Sequence, residues 1–178
     1  MRIITSKTKD RRVKPNLLYF GYGSNLNIEQ MEWRCPGARP IGPASLDGYK
    51  LEFRANATGY GYLTVAPDAE SMVAGGLWEI RSNHVATLDS YEGYPSLYYR
   101  RKMVVWLDTG HATRALVYIM TPGHVLRMPT QEYIRTCARG LNDFGLDTGA
   151  LRIAIGDAWK EMNQRKGAGV RWQAQQAK

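Results

Sequence analysis

Cysteine is nearly absent from this chain: only Cys35 and Cys137 occur among 178 residues, far apart and in no CxxC arrangement. That excludes a disulfide framework and fits a reduced, cytoplasmic compartment. Histidine is equally scarce. His84, His111 and His124 lack the short spacing that a zinc or iron site needs, so no metal is expected. Long apolar runs are also missing: "MVVW" (Met103–Trp106) and "ALVYIM" (Ala115–Met120) fall well short of the roughly 20 residues that cross a bilayer. The basic N-terminus has no apolar stretch of the kind that marks a secretory signal. Neither membrane insertion nor export is expected.

The formal net charge is +8, which at first suggests a nucleic-acid partner. Its location weakens that reading. Residues 1–14 hold six Lys and Arg against one Asp, and residues 160–178 hold five against one Glu, leaving 13 basic against 14 acidic residues between them. The central region therefore has no basic excess, and any nucleic-acid contact belongs to the ends, where it would be weak and salt-sensitive. We read a basic N-terminal arm over residues 1–15, one globular domain over 16–159, and a polar, basic C-terminal tail over 160–178.

Within the domain, "NLLYF" (Asn16–Phe20) is a short apolar run that suits a buried strand. A helix is expected from an Asn27 cap until Pro36. Strands are expected around "YKLEF" (Tyr49–Phe53), "YGYLTVA" (Tyr60–Ala66) and "GGLWEI" (Gly75–Ile80). Ser82 to Gly93 reads as a helix capped by Ser82 and stopped by glycine. Tyr98–Leu107 and Thr113–Met120 form a hairpin about "DTG". Thr130 caps a helix with Tyr133, Cys137 and Leu141 at i, i+4 and i+8, and a last helix follows Thr148 with Leu151, Ile155 and Trp159 on one stripe. Strands outnumber helices without regular alternation, so the fold class is α+β: a small mixed β-barrel with flanking helices, able to enclose a ligand-sized cavity.

Two stretches carry candidate chemistry. "YFGYGSNLN" (Tyr19–Asn27) packs two glycines, a serine and an asparagine between a strand and a helix. Alone, it is equally an ordinary strand-to-helix turn or a set of backbone N–H donors for a carboxylate or oxyanion. It is no nucleotide fingerprint, because Leu26 stands where GxGxxG needs its third glycine. Nor does it offer Ser24 as a nucleophile, since it is not a GxSxG elbow. "LDSYEGYPSLYYRR" (Leu88–Arg101) places Glu92 at a helix C-terminus, where the macrodipole disfavours the charged form. With desolvation, that would lift Glu92 toward the range of a general base. Asp89 shares its helix face and reads either as a second acid or as a surface carboxylate. Tyr94, Tyr98 and Tyr99 read as sheet-face aromatics.

In this order and separation, "YFGYGSNL" and "LDSYEG" resemble the gamma-glutamylcyclotransferase family, with its YGSN loop and its glutamate in a D-x-x-E-G context. The likeness extends to "YIMTPG" (Tyr118–Gly123) and "PTQEYI" (Pro129–Ile134), and covers roughly residues 17–145. It implies a small mixed barrel whose enzymes release 5-oxoproline from gamma-glutamyl compounds without a cofactor. By motif, Glu92 would be the base, and Tyr22, Gly23, Ser24, Asn25 and Leu26 would bind substrate with Tyr99 and Tyr133. Tyr94 and Pro95 after the E-G pair look closer to the gamma-glutamylamine branch, which leaves the departing amine open. The alternatives are a non-catalytic metabolite-binding module of the same fold, and a nucleic-acid-associated protein using its basic ends.

Overall fold

The computed structural model describes residues 16–176, with side chains through residue 165. The arm expected at residues 1–15 lies outside the described residues. Five strands close a barrel in the order β1-β3-β2-β4-β5: β1 (Leu17–Gly21), β2 (Arg39–Ala55), β3 (Gly61–Ile80), β4 (Tyr98–Leu107) and β5 (Ala112–Met120). β1 closes the ring by pairing antiparallel with β3 and parallel with β5, where Tyr19 opposes Leu116. The α+β barrel anticipated from the sequence is the fold observed.

The sequence reading split what is one strand. "YGYLTVA" and "GGLWEI" both belong to the 20-residue β3, and β2 starts at Arg39, so the two form one long ribbon. The ribbon bends where the register slips between Asp47 and Tyr49, with Gly48 at φ +77°. A glycine is what permits that left-handed step without a Cβ clash. Beyond the bend, the ribbon leans on the ends of β4 and β5. The Tyr98 hydroxyl donates to Leu63 O at 2.8 Å, and Met120 N donates to Thr64 Oγ1 at 2.9 Å.

Four helices flank the barrel: α1 (Ile28–Arg34), α2 (Ser82–Glu92), α3 (Gln131–Asp143) and α4 (Gly149–Gln176). Asn27 caps α1 and Thr130 caps α3 as the sequence suggested, each side chain accepting a backbone N–H three residues on. The cap of α2 is Arg81 rather than Ser82, because the chain leaves β3 extended one residue earlier. Gly93 ends that helix in the left-handed conformation, φ +64°. In α4 the buried stripe is Leu151, Ala154 and Ala158, while Trp159 is 60% exposed, so the expected stripe turns away from the core at its third member. The helix also runs on as far as Gln176, within the segment read as a polar tail.

One close approach sets the position of the later site. A Cβ on Gly140 of α3 would lie 2.5 Å from Leu26 Cβ and from Asn27 N, so only glycine lets α3 seat against the turn that follows β1. Buried Leu26, Cys137 and Leu141 fill that seam.

Candidate active site

The chain leaves β1 at Gly21 and makes a single 3-10 turn over Ser24–Leu26 before α1 begins. Leu26 N donates to Gly23 O and Asn27 N to Ser24 O. The amides of Gly23, Ser24 and Asn25 come before those bonds, as the first N–H groups of any helical turn must. Among the described residues they have no backbone acceptor in a turn, loop or cap. These three residues border a cavity of about 460 Å³, with Tyr22 beside them. Leu26 is not part of its wall. It is fully buried beneath the turn and its amide is spent within it, so a substrate-contacting role for Leu26 does not fit the structure.

Glu92, the last residue of α2, reaches the same cavity from a different element. The Asn25 Nδ2 atom donates to Glu92 Oε1 at 2.8 Å, and also to the Tyr19 hydroxyl at 2.8 Å. Burial lifts the Glu92 carboxyl from the ordinary carboxylate range to about 7, against the opposing pull of the Arg34 cation and the Asn25 hydrogen bond. Desolvation outweighs both, which leaves a carboxyl able to give or take a proton near neutrality.

Asp89 is occupied elsewhere. Its carboxylate accepts from Arg100 Nη1 at 2.8 and 3.0 Å and from the Tyr118 hydroxyl at 2.7 Å. This ion pair ties the last turn of α2 to β4 and β5 and so holds Glu92 in place. Asp89 does not border the cavity.

The tyrosines divide by strand parity. Tyr98 is buried and faces the cavity, whereas Tyr99, one residue on, is 38% exposed and is not part of the wall. The residue expected seven positions after Glu92 is therefore replaced in the site by its neighbour. Tyr133 does face the cavity: its hydroxyl receives Leu63 N–H at 3.3 Å and would lie 3.2 Å from a Cβ on Gly23. The Tyr22 hydroxyl donates to Tyr118 O at 2.5 Å. Burial pushes Tyr19, Tyr22, Tyr98 and Tyr133 above the ordinary phenol range, so all four are neutral donors near pH 7.

Sequence reasoning missed Arg34, Gln30 and Tyr19, all of which border the cavity. Nothing local in "MEWRCPG" marks Arg34, because its place becomes visible only when α1 folds back beside the turn. Among the described residues no His, Cys, Asp and Glu group could hold a metal ion, and no helix is long and apolar enough to cross a membrane.

Comparison with known proteins gives the family and the fold. The family described as "Gamma-glutamyl cyclotransferase, AIG2-like" matches residues 19–136, a span that includes both the turn and Glu92. Human gamma-glutamylcyclotransferase is 28% identical over 138 residues, 74% of this chain and 73% of that protein. The mouse protein of the same name is 29% identical over 137 residues, 72% of each. A solved gamma-glutamyl cyclotransferase structure superposes with a TM-score of 0.70 at 27% identity, covering 74% of this chain and 82% of that one. YkqA from Bacillus subtilis shares the fold, with a TM-score of 0.69 at 22% identity over 80% of this chain and 55% of its own.

Proposed function

The chain belongs to the gamma-glutamyl cyclotransferase, AIG2-like family and is an enzyme of the cyclotransferase kind, and on that premise we propose that it cyclises a gamma-glutamyl amide to 5-oxoproline with Glu92 as base and acid. A gamma-glutamyl group carries its own nucleophile, so the enzyme's main task is to bend the α-amine onto the side-chain carbonyl. Glu92 takes a proton from the α-ammonium. The freed amine attacks the γ-carbonyl carbon and forms the five-membered ring. The protonated Glu92 then gives its proton to the departing nitrogen as the old C–N bond breaks, and the extra proton left on the ring nitrogen passes through Glu92 to the released amine, yielding 5-oxoproline and an ammonium. The amides of Gly23, Ser24 and Asn25 suit either the α-carboxylate or the oxyanion of the tetrahedral intermediate. Tyr22 and Tyr133 shape the pocket beside them.

One observation supports this reading above the others: a carboxyl lifted to about 7 borders the same cavity as Gly23, Ser24 and Asn25, and is hydrogen-bonded to the Asn25 side chain. The cavity of about 460 Å³ leaves room for a departing amine beside the glutamyl group, and since neither Tyr94 nor Pro95 borders it, the likeness of that pair to the gamma-glutamylamine branch does not choose the amine. The unit that carries this chemistry is residues 16–159. The test is 5-oxoproline release from gamma-glutamylamines, gamma-glutamyl-amino acids and glutathione by wild type and Glu92→Gln. Release by wild type that falls by about 10²- to 10⁴-fold in the variant is expected. Binding of these compounds without any release would instead identify a binding module of the same fold.

A further inference from the structure

The cavity wall holds a cation that the reaction above does not use. Arg34 closes α1, and its guanidinium lies 4.1 Å from the centroid of the Tyr91 ring. It donates to Ser24 Oγ at 3.3 Å and to Asn25 Oδ1, and among the described residues no carboxylate is paired with it. A base at the end of a helix is favourable for the macrodipole, which accounts for an arginine in the last turn. It does not account for the side chain turning back to an asparagine amide.

We propose that Arg34 is a positioning residue for the reaction, fixing the direction of the Asn25 amide so that its NH2 group is held on Glu92. A guanidinium can only donate, so the atom of Asn25 that faces it must be the carbonyl oxygen. The NH2 end then has one direction left, and there it meets Glu92 and the Tyr19 hydroxyl. Without the cation, the amide is free to flip. A flipped Asn25 would present its oxygen to Glu92, an arrangement that satisfies only the protonated acid and withdraws the base. Arg34 thus favours the proton-accepting form twice, through Asn25 and through its own charge.

Among the described residues, no other group bordering the cavity with Glu92 supplies positive charge. Tyr19 of β1, Tyr22 after it, Tyr98 of β4 and Tyr133 of α3 are neutral phenols. Glu132 of α3 borders the same cavity as an acid, and Asp89 of α2 is satisfied by Arg100 and Tyr118.

This inference rests on Glu92 as the base, so the experiment reads both rate and ionisation. Wild type, Arg34→Met and Arg34→Lys are compared in pH profiles of kcat and kcat/KM, and the Glu92 carboxyl is titrated by 13C NMR. For Arg34→Met, the acid limb and the Glu92 midpoint should both move up by about one pH unit or more. Activity should fall at least about fivefold at pH 7 and recover by pH 9, with KM changed less than about threefold. Arg34→Lys, which keeps a charged donor, should restore most of the loss. An equal loss at every pH with an unmoved midpoint would reduce Arg34 to a structural part, and a rise in KM with an unmoved limb would make it a substrate anchor. Either result overturns the proposal. If wild type releases no 5-oxoproline, the catalytic reading fails, and the Glu92 midpoint alone decides: moved up in the variant it upholds the positioning role, unmoved it refutes it. Should Arg34→Met not fold, Arg34→Gln is read by the same criteria.

Discussion

Asn25 Nδ2 lies 2.8 Å from Glu92 Oε1, a hydrogen bond between the turn that follows β1 and the last residue of α2. It joins the two sequence stretches that drew attention separately, and it governs the first two predictions.

The base works only when ionised. Burial places the Glu92 carboxyl at about 7, so kcat/KM of the free enzyme should climb through an acid limb centred near pH 7. Initial rates of 5-oxoproline release from pH 4 to 9 check this. A limb near 4.5 would mean that the carboxyl titrates as though in water.

The same shift has a stability consequence. Glu92 has a folded pKa of about 7 against 4.5 for the free group, so between those values the folded state holds a proton that the unfolded chain has released. That contribution is present below pH 4.5, is lost as pH rises through the window, and is gone above 7. Glu92→Gln has no proton to lose. It should be more stable than wild type at pH 8, on the order of 1–3 kcal/mol, with the partial exposure of the residue favouring the low end. The gain should vanish near pH 4.5. Urea denaturation at both pH values measures it, and a variant less stable at pH 8 would contradict the burial argument.

The barrel was legible because it rests on local patterns, such as alternation in Tyr98–Leu107 and the caps at Asn27 and Thr130, whereas the pairing of turn with glutamate came from the resemblance that the two motifs carry in order. What was hidden depends on contacts distant in sequence. "YGYLTVA" and "GGLWEI" looked like two strands because Pro67 and the polar stretch after it imitate a turn, whereas pairing to β2 on both sides of that stretch, Tyr49 with Pro67 and Asp47 with Met72, makes them one bent strand. Tyr98 and Tyr99 differ only in parity, which spacing from Glu92 cannot fix. The helix-end argument for Glu92 pointed the right way, but the larger cause is desolvation by the assembled cavity, which no local pattern shows.

Asp89 offers a contrast with Glu92 on the same helix. It holds Arg100 and Tyr118, and so should matter for folding more than for proton transfer. Asp89→Asn keeps the shape but loses the charge beside Arg100. It should cost about 1–3 kcal/mol in stability, because the arginine is left with a weaker partner. Activity should fall far less than in Glu92→Gln. Denaturation and turnover measured on both variants separate the roles, and a matching collapse of activity in Asp89→Asn would make it a second acid after all.

The final test concerns how closely the turn is held. Gly23 sits at φ −121°, ψ −138°, outside the left-handed region, so an alanine there meets no left-handed penalty. Its methyl group would instead meet the Tyr133 hydroxyl at 3.2 Å and Leu63 Cβ at 3.6 Å. Tyr133 has little freedom to retreat: Leu63 N–H holds its hydroxyl, and its ring packs edge-on against Tyr62 and Phe53 with centroids 4.8 and 6.3 Å away. The turn must give way, carrying the amides of Ser24 and Asn25 out of line. Gly23→Ala should therefore lower kcat/KM about 10- to 100-fold, with stability changed by less than about 1 kcal/mol. In a Tyr133→Phe background the obstructing oxygen is gone, and the same substitution should cost markedly less, giving a clear coupling in the double-mutant cycle. An identical cost in both backgrounds would show that the Tyr133 hydroxyl does not set the position of the turn.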